Sequence, residues 1–137
     1  MVGSAQPAGT QSDPTLAGRT VLVIEDHQDS LELLTVVLQS LRARVLTART
    51  VEDAERRLST QRPDLIVCDM RLPDGTGLDF VQWLRGQDPR LSRIPCIAIT
   101  GWGDLFPPER ARDFDAYLRK PIHLDRFCNV AVTLARR

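Results

Sequence analysis

Three carboxylates, a hydroxyl and an amine stand at corresponding places along this sequence. Each follows an apolar run. Val21-Leu22-Val23-Ile24 ends in Glu25-Asp26, Leu65-Ile66-Val67-Cys68 ends in Asp69, and the run over 94–99 ends in Thr100. A weaker run over 116–118 is followed by Lys120-Pro121. Alone, each of these residues is unremarkable, since acidic residues after a strand usually cap helices or face water. Gathered at one rim, they form an unbalanced site, because carboxylates a few ångströms apart repel strongly at low dielectric. A hard divalent cation relieves that repulsion, and oxygen donors without Cys or His select Mg²⁺ over zinc. Such an ion beside a carboxylate, Lys120 and Thr100 suits phosphoryl chemistry. The metal would bridge carboxylate and phosphate oxygens, Lys120 would offset charge, and Thr100 would donate a hydrogen bond.

The elements that would bring these residues together can be read from the apolar pattern. Runs that are apolar at every position fit strands of a parallel sheet covered on both faces. The runs at 21–24, 65–68 and 94–99 are the strong ones, with Pro95 near a start where a missing N–H is tolerable. Those at 44–47 and 116–118 are weaker. Helical spacing falls between them. Leu31, Leu34, Val37, Leu38 and Leu41 follow Asp29-Ser30, read as an N-cap region. Val51, Ala54 and Leu58 mark a second helix, Leu78, Val81 and Leu84 a third, and Leu124, Phe127, Val130 and Leu134 the last. Phe80, Trp83 and Phe127 read as core. Strand and helix alternate, which predicts a doubly wound α/β domain with right-handed crossovers. Ligands of such sheets bind beyond the carboxyl ends of the strands, where the five residues above stand.

The 137 residues make one domain of ordinary size, read as a flexible tail over 1–18 and a folded domain over 19–137. Lys plus Arg equals Asp plus Glu, 18 each, so there is no basic excess for nucleic acid or a membrane surface. No apolar run approaches the ~20 residues of a membrane span, and no secretory leader is expected. Cys68, Cys96 and Cys128 form no C-x-x-C pair and read as reduced thiols of a cytoplasmic protein.

The quoted residues resemble the receiver domain of two-component response regulators over about 19–137. The matching pieces are Val21-Leu22-Val23-Ile24-Glu25-Asp26, Asp64 through Gly75, Gly77-Leu78, Ile97-Ala98-Ile99-Thr100-Gly101 and Asp115-Ala116-Tyr117-Leu118-Arg119-Lys120-Pro121, in order and at near-family spacing. The resemblance implies a flavodoxin-like five-stranded parallel sheet of order 2-1-3-4-5, with helices on both faces. It implies that Asp69 is the phosphoacceptor. Asp26 would be a direct Mg²⁺ ligand, Glu25 would act through water, and the backbone carbonyl of Arg71 would be a further ligand, with Mn²⁺ able to substitute. Thr100 and Lys120 would contact the phosphoryl oxygens. Tyr117 would turn inward on activation, and Lys120-Pro121 would be cis. The donor would be a histidine kinase or a histidine phosphotransfer protein, and the output an unknown downstream protein. The chain would be a switch, not a turnover enzyme, and a monomer or weak dimer, either alone or within a longer protein such as a hybrid histidine kinase.

The sequence departs from the family in places. The stretch 101–113 carries Trp102 and Pro107-Pro108, so the helix before the last strand is expected to be short or displaced. Asp113 stands where the family often has a turn glycine, and Asp can visit the left-handed region at some cost. Arg71 and Trp102 flank the phosphoacceptor and Thr100, and are expected to shield an acyl phosphate and tune its lifetime. Asp74-Gly75-Thr76-Gly77 superficially resembles the Asp-x-Asp-Gly-Thr phosphatase motif, but Leu72 stands where that motif needs its nucleophile, so Asp74-Gly75 reads as a turn. His27 and His123 read as structural or incidental. The competing readings are a pseudo-receiver that binds partners without cycling phosphate and, with less support, a small-phosphoester hydrolase.

Overall fold

A computed structural model of the chain describes residues 15–101 and 112–137. Five strands form one parallel sheet: β1 (Thr20–Ile24), β2 (Arg44–Ala48), β3 (Leu65–Asp69), β6 (Cys96–Thr100) and β7 (Ala116–Arg119), with a small hairpin, β4 (Arg71–Leu72) and β5 (Gly75–Thr76), directly after β3. Their order across the sheet is β2-β1-β3-β6-β7, the expected arrangement once the hairpin is set aside. All four pairings are parallel, and the registers run Leu22↔Ile66, Cys68↔Ala98 and Ile99↔Leu118.

Strand period explains why β1, β3 and β6 read as continuous apolar runs. Neighbouring residues point to opposite faces, and both faces are covered. Leu22, Ile24, Ile66, Cys68, Cys96 and Ala98 face a core closed by α2 (Val51–Leu58) and α3 (Gly77–Arg85). Val21, Val23, Leu65, Val67, Ile97 and Ile99 face a second core closed by α1 (Gln28–Ser40) and α5 (Leu124–Ala135). Phe80 and Phe127, as expected, are fully buried, one in each core. Trp83 is partly buried against the first. Cys68 and Cys96 are buried thiols, and burial pushes both far above the ordinary thiol range.

Several local expectations need correction. The cap of α1 is His27, not Asp29-Ser30, and its ring makes no capping bond. The boundary at residue 18 falls inside the packed structure. Leu16 is fully buried in the second core, and its N–H donates to the Leu41 carbonyl at 2.6 Å, because an apolar residue in a polar tail still gains by covering the end of α1. The third apolar run begins its ladder at Cys96, while Ile94 is buried in the turn before it. A one-turn helix, α4 (Pro89–Ser92), precedes that turn, with Pro in its first turn and Asp88 as cap. Among the described residues the non-glycine with positive φ is Arg42, at 75°, and Asp113 does not take that conformation. Lys120-Pro121 is cis, as the resemblance implied. Trp102, Pro107 and Pro108, and with them the expected short helix, lie outside the described residues.

Candidate functional site

The carboxyl ends of β1, β3, β6 and β7 meet at one rim, and the side chains expected to do chemistry follow from where each strand stops. Glu25 comes directly after β1, Asp69 ends β3, Thr100 ends β6 and Lys120 follows β7. Burial separates these residues from ordinary turn residues: Glu25 is 1% exposed, Asp69 4% and Thr100 8%. Lys120 Nζ stands 3.3 Å from Asp69 Oδ2 and 3.7 Å from Glu25 Oε1, so one ammonium serves two buried carboxylates. The Lys120 N–H donates to the Thr100 carbonyl at 2.7 Å, which ties the lysine to the end of β6.

Glu25 carries the electrostatic strain of the site. Burial pushes its carboxyl above the usual range, and the neighbouring Asp69 pushes the same way. The His27 N–H, which donates to Glu25 Oε2 at 3.0 Å, and the Lys120 ammonium hold it back. Asp26 is half-buried beside it, and its carbonyl accepts from Arg49 Nη2 at 2.8 Å. The Arg71 N–H reaches Asp69 Oδ1 at 3.3 Å, while Arg71 itself is exposed at the start of the hairpin. One carboxylate oxygen each from Glu25 and Asp69, together with a ring nitrogen of His27, lie within 4.8 Å of one another, close enough to hold a single metal ion. The buried oxygens fit a hard divalent cation. The sequence reading set His27 aside, and its only signal was adjacency to the acidic pair.

The loop after Asp69 is held from two sides. Gly77, which opens α3, lies so close under the chain that a Cβ there would meet the Asp69 carbonyl at 2.8 Å and the Met70 Cα at 3.1 Å. Its N–H donates to the Met70 carbonyl at 2.9 Å. Gly77→Ala is therefore expected to cost about 1–3 kcal/mol, read by urea unfolding, because backbone rather than a flexible side chain must give way. A cost near zero would mean that the loop after Asp69 yields freely. On the other side, Asp74 accepts the Val51 and Glu52 N–H groups at 2.8 and 3.0 Å and so caps α2 from a distance. Those bonds outweigh the slight desolvation of Asp74 and hold its carboxyl below the usual range. The residue read as part of a turn also anchors that turn.

Tyr117 pairs with Ala98, two residues before Thr100, so Tyr117 and Thr100 share a face of the sheet. Its hydroxyl is buried and its ring meets Phe114 edge-on at 5.5 Å. Burial, with Asp113 nearby, pushes the phenol above its ordinary value. The ring is partly buried against the first core.

Residues 21–131 match the family described as the response regulator receiver domain. The response regulator protein PilR of Pseudomonas aeruginosa is 34% identical over 124 residues, 88% of this chain and 27% of PilR. The polar-differentiation response regulator DivK of Brucella anthropi is 32% identical over 80% of this chain and 89% of DivK. Among solved structures, the receiver domain of a sensor histidine kinase of Pseudomonas aeruginosa, with a magnesium ion coordinated in its active site cleft, superimposes with a TM-score of 0.78 at 27% identity, covering 88% of this chain and all of that one. The signal receiver domain of a signal transduction histidine kinase from Syntrophus aciditrophicus gives 0.75 at 28% identity, over 86% and 90% of the two chains. Among the described residues no helix is long and apolar enough to cross a membrane.

Proposed function

Because this chain belongs to the response regulator receiver domain family of two-component signalling, we propose that it is a phosphorelay receiver that takes a phosphoryl group from a phosphohistidine onto Asp69, with Mg²⁺, and alters partner binding in response. The observation that carries this reading is the buried Asp69 carboxylate, 3.3 Å from Lys120 at the carboxyl rim of the sheet and beside the buried Glu25.

An Asp69 oxygen attacks phosphorus in line. The new P–O bond forms as the P–N bond to the donor imidazole breaks and its electron pair stays on nitrogen. Lys120 and the Thr100 hydroxyl meet the phosphoryl oxygens, where charge collects. Glu25, Asp26, Asp69 and the Arg71 carbonyl would hold the divalent ion, which when bound supplies charge compensation and orients those oxygens. Mn²⁺ suits the same oxygen donors. Thr100, drawn toward the phosphoryl group, would change the space beside Tyr117 on the same face. With the ring already partly buried, the switch would be a shift in the balance between two packings. Arg71 would shield the acyl phosphate from water. The chain catalyses only its own phosphorylation and dephosphorylation. Its donor is a histidine kinase or phosphotransfer protein, its output a downstream protein, its setting the cytoplasm and its state a monomer or weak dimer.

Phosphoramidate, a small P–N donor, tests the reading. One phosphoryl group per chain, taken up with Mg²⁺, blocked by a chelator and released by alkali as an acyl phosphate would be, is the expected result. No uptake under any ion would overturn it and leave a binding module that does not cycle phosphate.

Metal and proton should compete at this site. Without metal, the raised Glu25 carboxyl favours folding most fully below the ordinary carboxyl pKa of the unfolded chain, and that contribution is lost as pH rises through the higher folded value. At neutral pH a divalent ion offsets the loss. Mg²⁺ at about a hundred times its Kd is expected to stabilise by about 2.7 kcal/mol. Thermal melts should show the gain shrinking as pH falls through the Glu25 pKa, as protons displace the ion. A gain independent of pH would place the ion elsewhere.

A further inference from the structure

His27 opens α1, where Ser, Thr, Asp or Asn would cap the helix, yet its ring makes no capping bond and is 74% exposed. The ring therefore serves neither the helix end nor a core, although the His27 carbonyl accepts the Leu31 N–H at 2.9 Å. Its Nδ1 stands 3.5 Å from Glu25 Oε2 and belongs to the three-residue cluster with Asp69. The ring is held beside the acidic pocket by a short backbone link, since the His27 N–H itself bonds Glu25 Oε2 at 3.0 Å. An ion with bonds of about 2.1 Å sets opposite ligands about 4.2 Å apart, so the 4.8 Å cluster needs only a small closure to share one ion. Asp69 lies across the cluster, and Lys120 lies 3.7 Å from the far oxygen of Glu25. The Arg49 guanidinium bonds the Asp26 carbonyl and the Gln28 side chain, on either side of His27 in sequence.

We propose that His27 is a metal-selecting ligand, adding an imidazole nitrogen to an otherwise oxygen-lined site and tilting it toward first-row transition ions such as Mn²⁺, Co²⁺ and Ni²⁺. Imidazole raises affinity for these ions along the usual series, while Mg²⁺ gains little from nitrogen. An exposed ring suits the role, because it can join an ion that prefers nitrogen and stay aside for one that does not. The proposal rests on the divalent-cation reading of the Asp69 site.

The test uses the untagged chain, His27→Gln and Asp69→Asn. Electron spin-echo spectroscopy of bound Mn²⁺ is expected to show ¹⁴N modulation from imidazole in the parent and none in His27→Gln. Calorimetry is expected to show Ni²⁺ affinity falling roughly tenfold or more in His27→Gln, the scale of losing a ligand's support, while Mg²⁺ affinity changes little. No nitrogen modulation in the parent, or modulation that survives His27→Gln, would overturn the proposal while leaving the cation site standing. Binding of every ion unchanged by Asp69→Asn would instead overturn the cation reading itself.

Discussion

Asp69→Asn is expected to take up no phosphoryl group from phosphoramidate, with the fold intact. The amide has nearly the shape of the carboxylate but carries no charge and is a far poorer nucleophile, so the covalent step loses its attacking atom. The fold should tolerate the change, because Asp69 is one of the groups that press the buried Glu25 carboxyl upward. With the neighbouring charge removed, Glu25 should ionise more readily and the metal-free variant should melt no lower than the parent at neutral pH. Mg²⁺ should add less to its stability. Intact mass spectrometry reads the first result and thermal melts the others. Uptake equal to the parent would move the phosphoacceptor elsewhere.

The second large effect is expected at Lys120. Its ammonium lies within 3.7 Å of Glu25 and 3.3 Å of Asp69, both buried. Lys120→Met keeps the length of the side chain and removes the charge. Phosphoryl uptake should slow by about 10²–10³-fold, the usual cost of losing one preorganised group aimed at developing charge. The two carboxylates would then face each other without that ammonium, so Glu25 should shift further upward and the metal-free protein should lose stability as pH rises toward neutral. The contrast with Asp69→Asn is diagnostic, since one variant relieves the crowding and the other worsens it. Uptake rates at parental level in Lys120→Met would mean that this ion pair is only structural.

Much of this site was legible because each part is local. A strand covered on both faces must be apolar throughout, so Val21-Leu22-Val23-Ile24 and Leu65-Ile66-Val67-Cys68 announced themselves, and the polar residues that end them had to share a rim. What escaped depends on contacts that sequence neighbours do not record. Asp74 caps α2 from 23 residues away. Arg85 donates to the Ser92, Ile94 and Asp113 carbonyls and pairs with Asp115, an anchor assembled only after α3 packs on the sheet. Arg57 donates from α2 to the Thr47 carbonyl on the edge strand β2. Leu16 was hidden by the polar residues around it, and its value comes from the hollow at the end of α1. His27 was set aside because a loop histidine is usually incidental. Only the fold of Glu25 toward Asp69 gives its ring a partner.

Borohydride trapping of the phosphorylated chain, followed by peptide sequencing by mass spectrometry, tests the central claim most directly. An acyl phosphate on Asp69 is reduced to homoserine, and the account expects homoserine at position 69 alone, formed only when Mg²⁺ was present during phosphorylation. Homoserine at another aspartate, or a phosphoryl group that resists reduction and maps to His27 or His123, would contradict it.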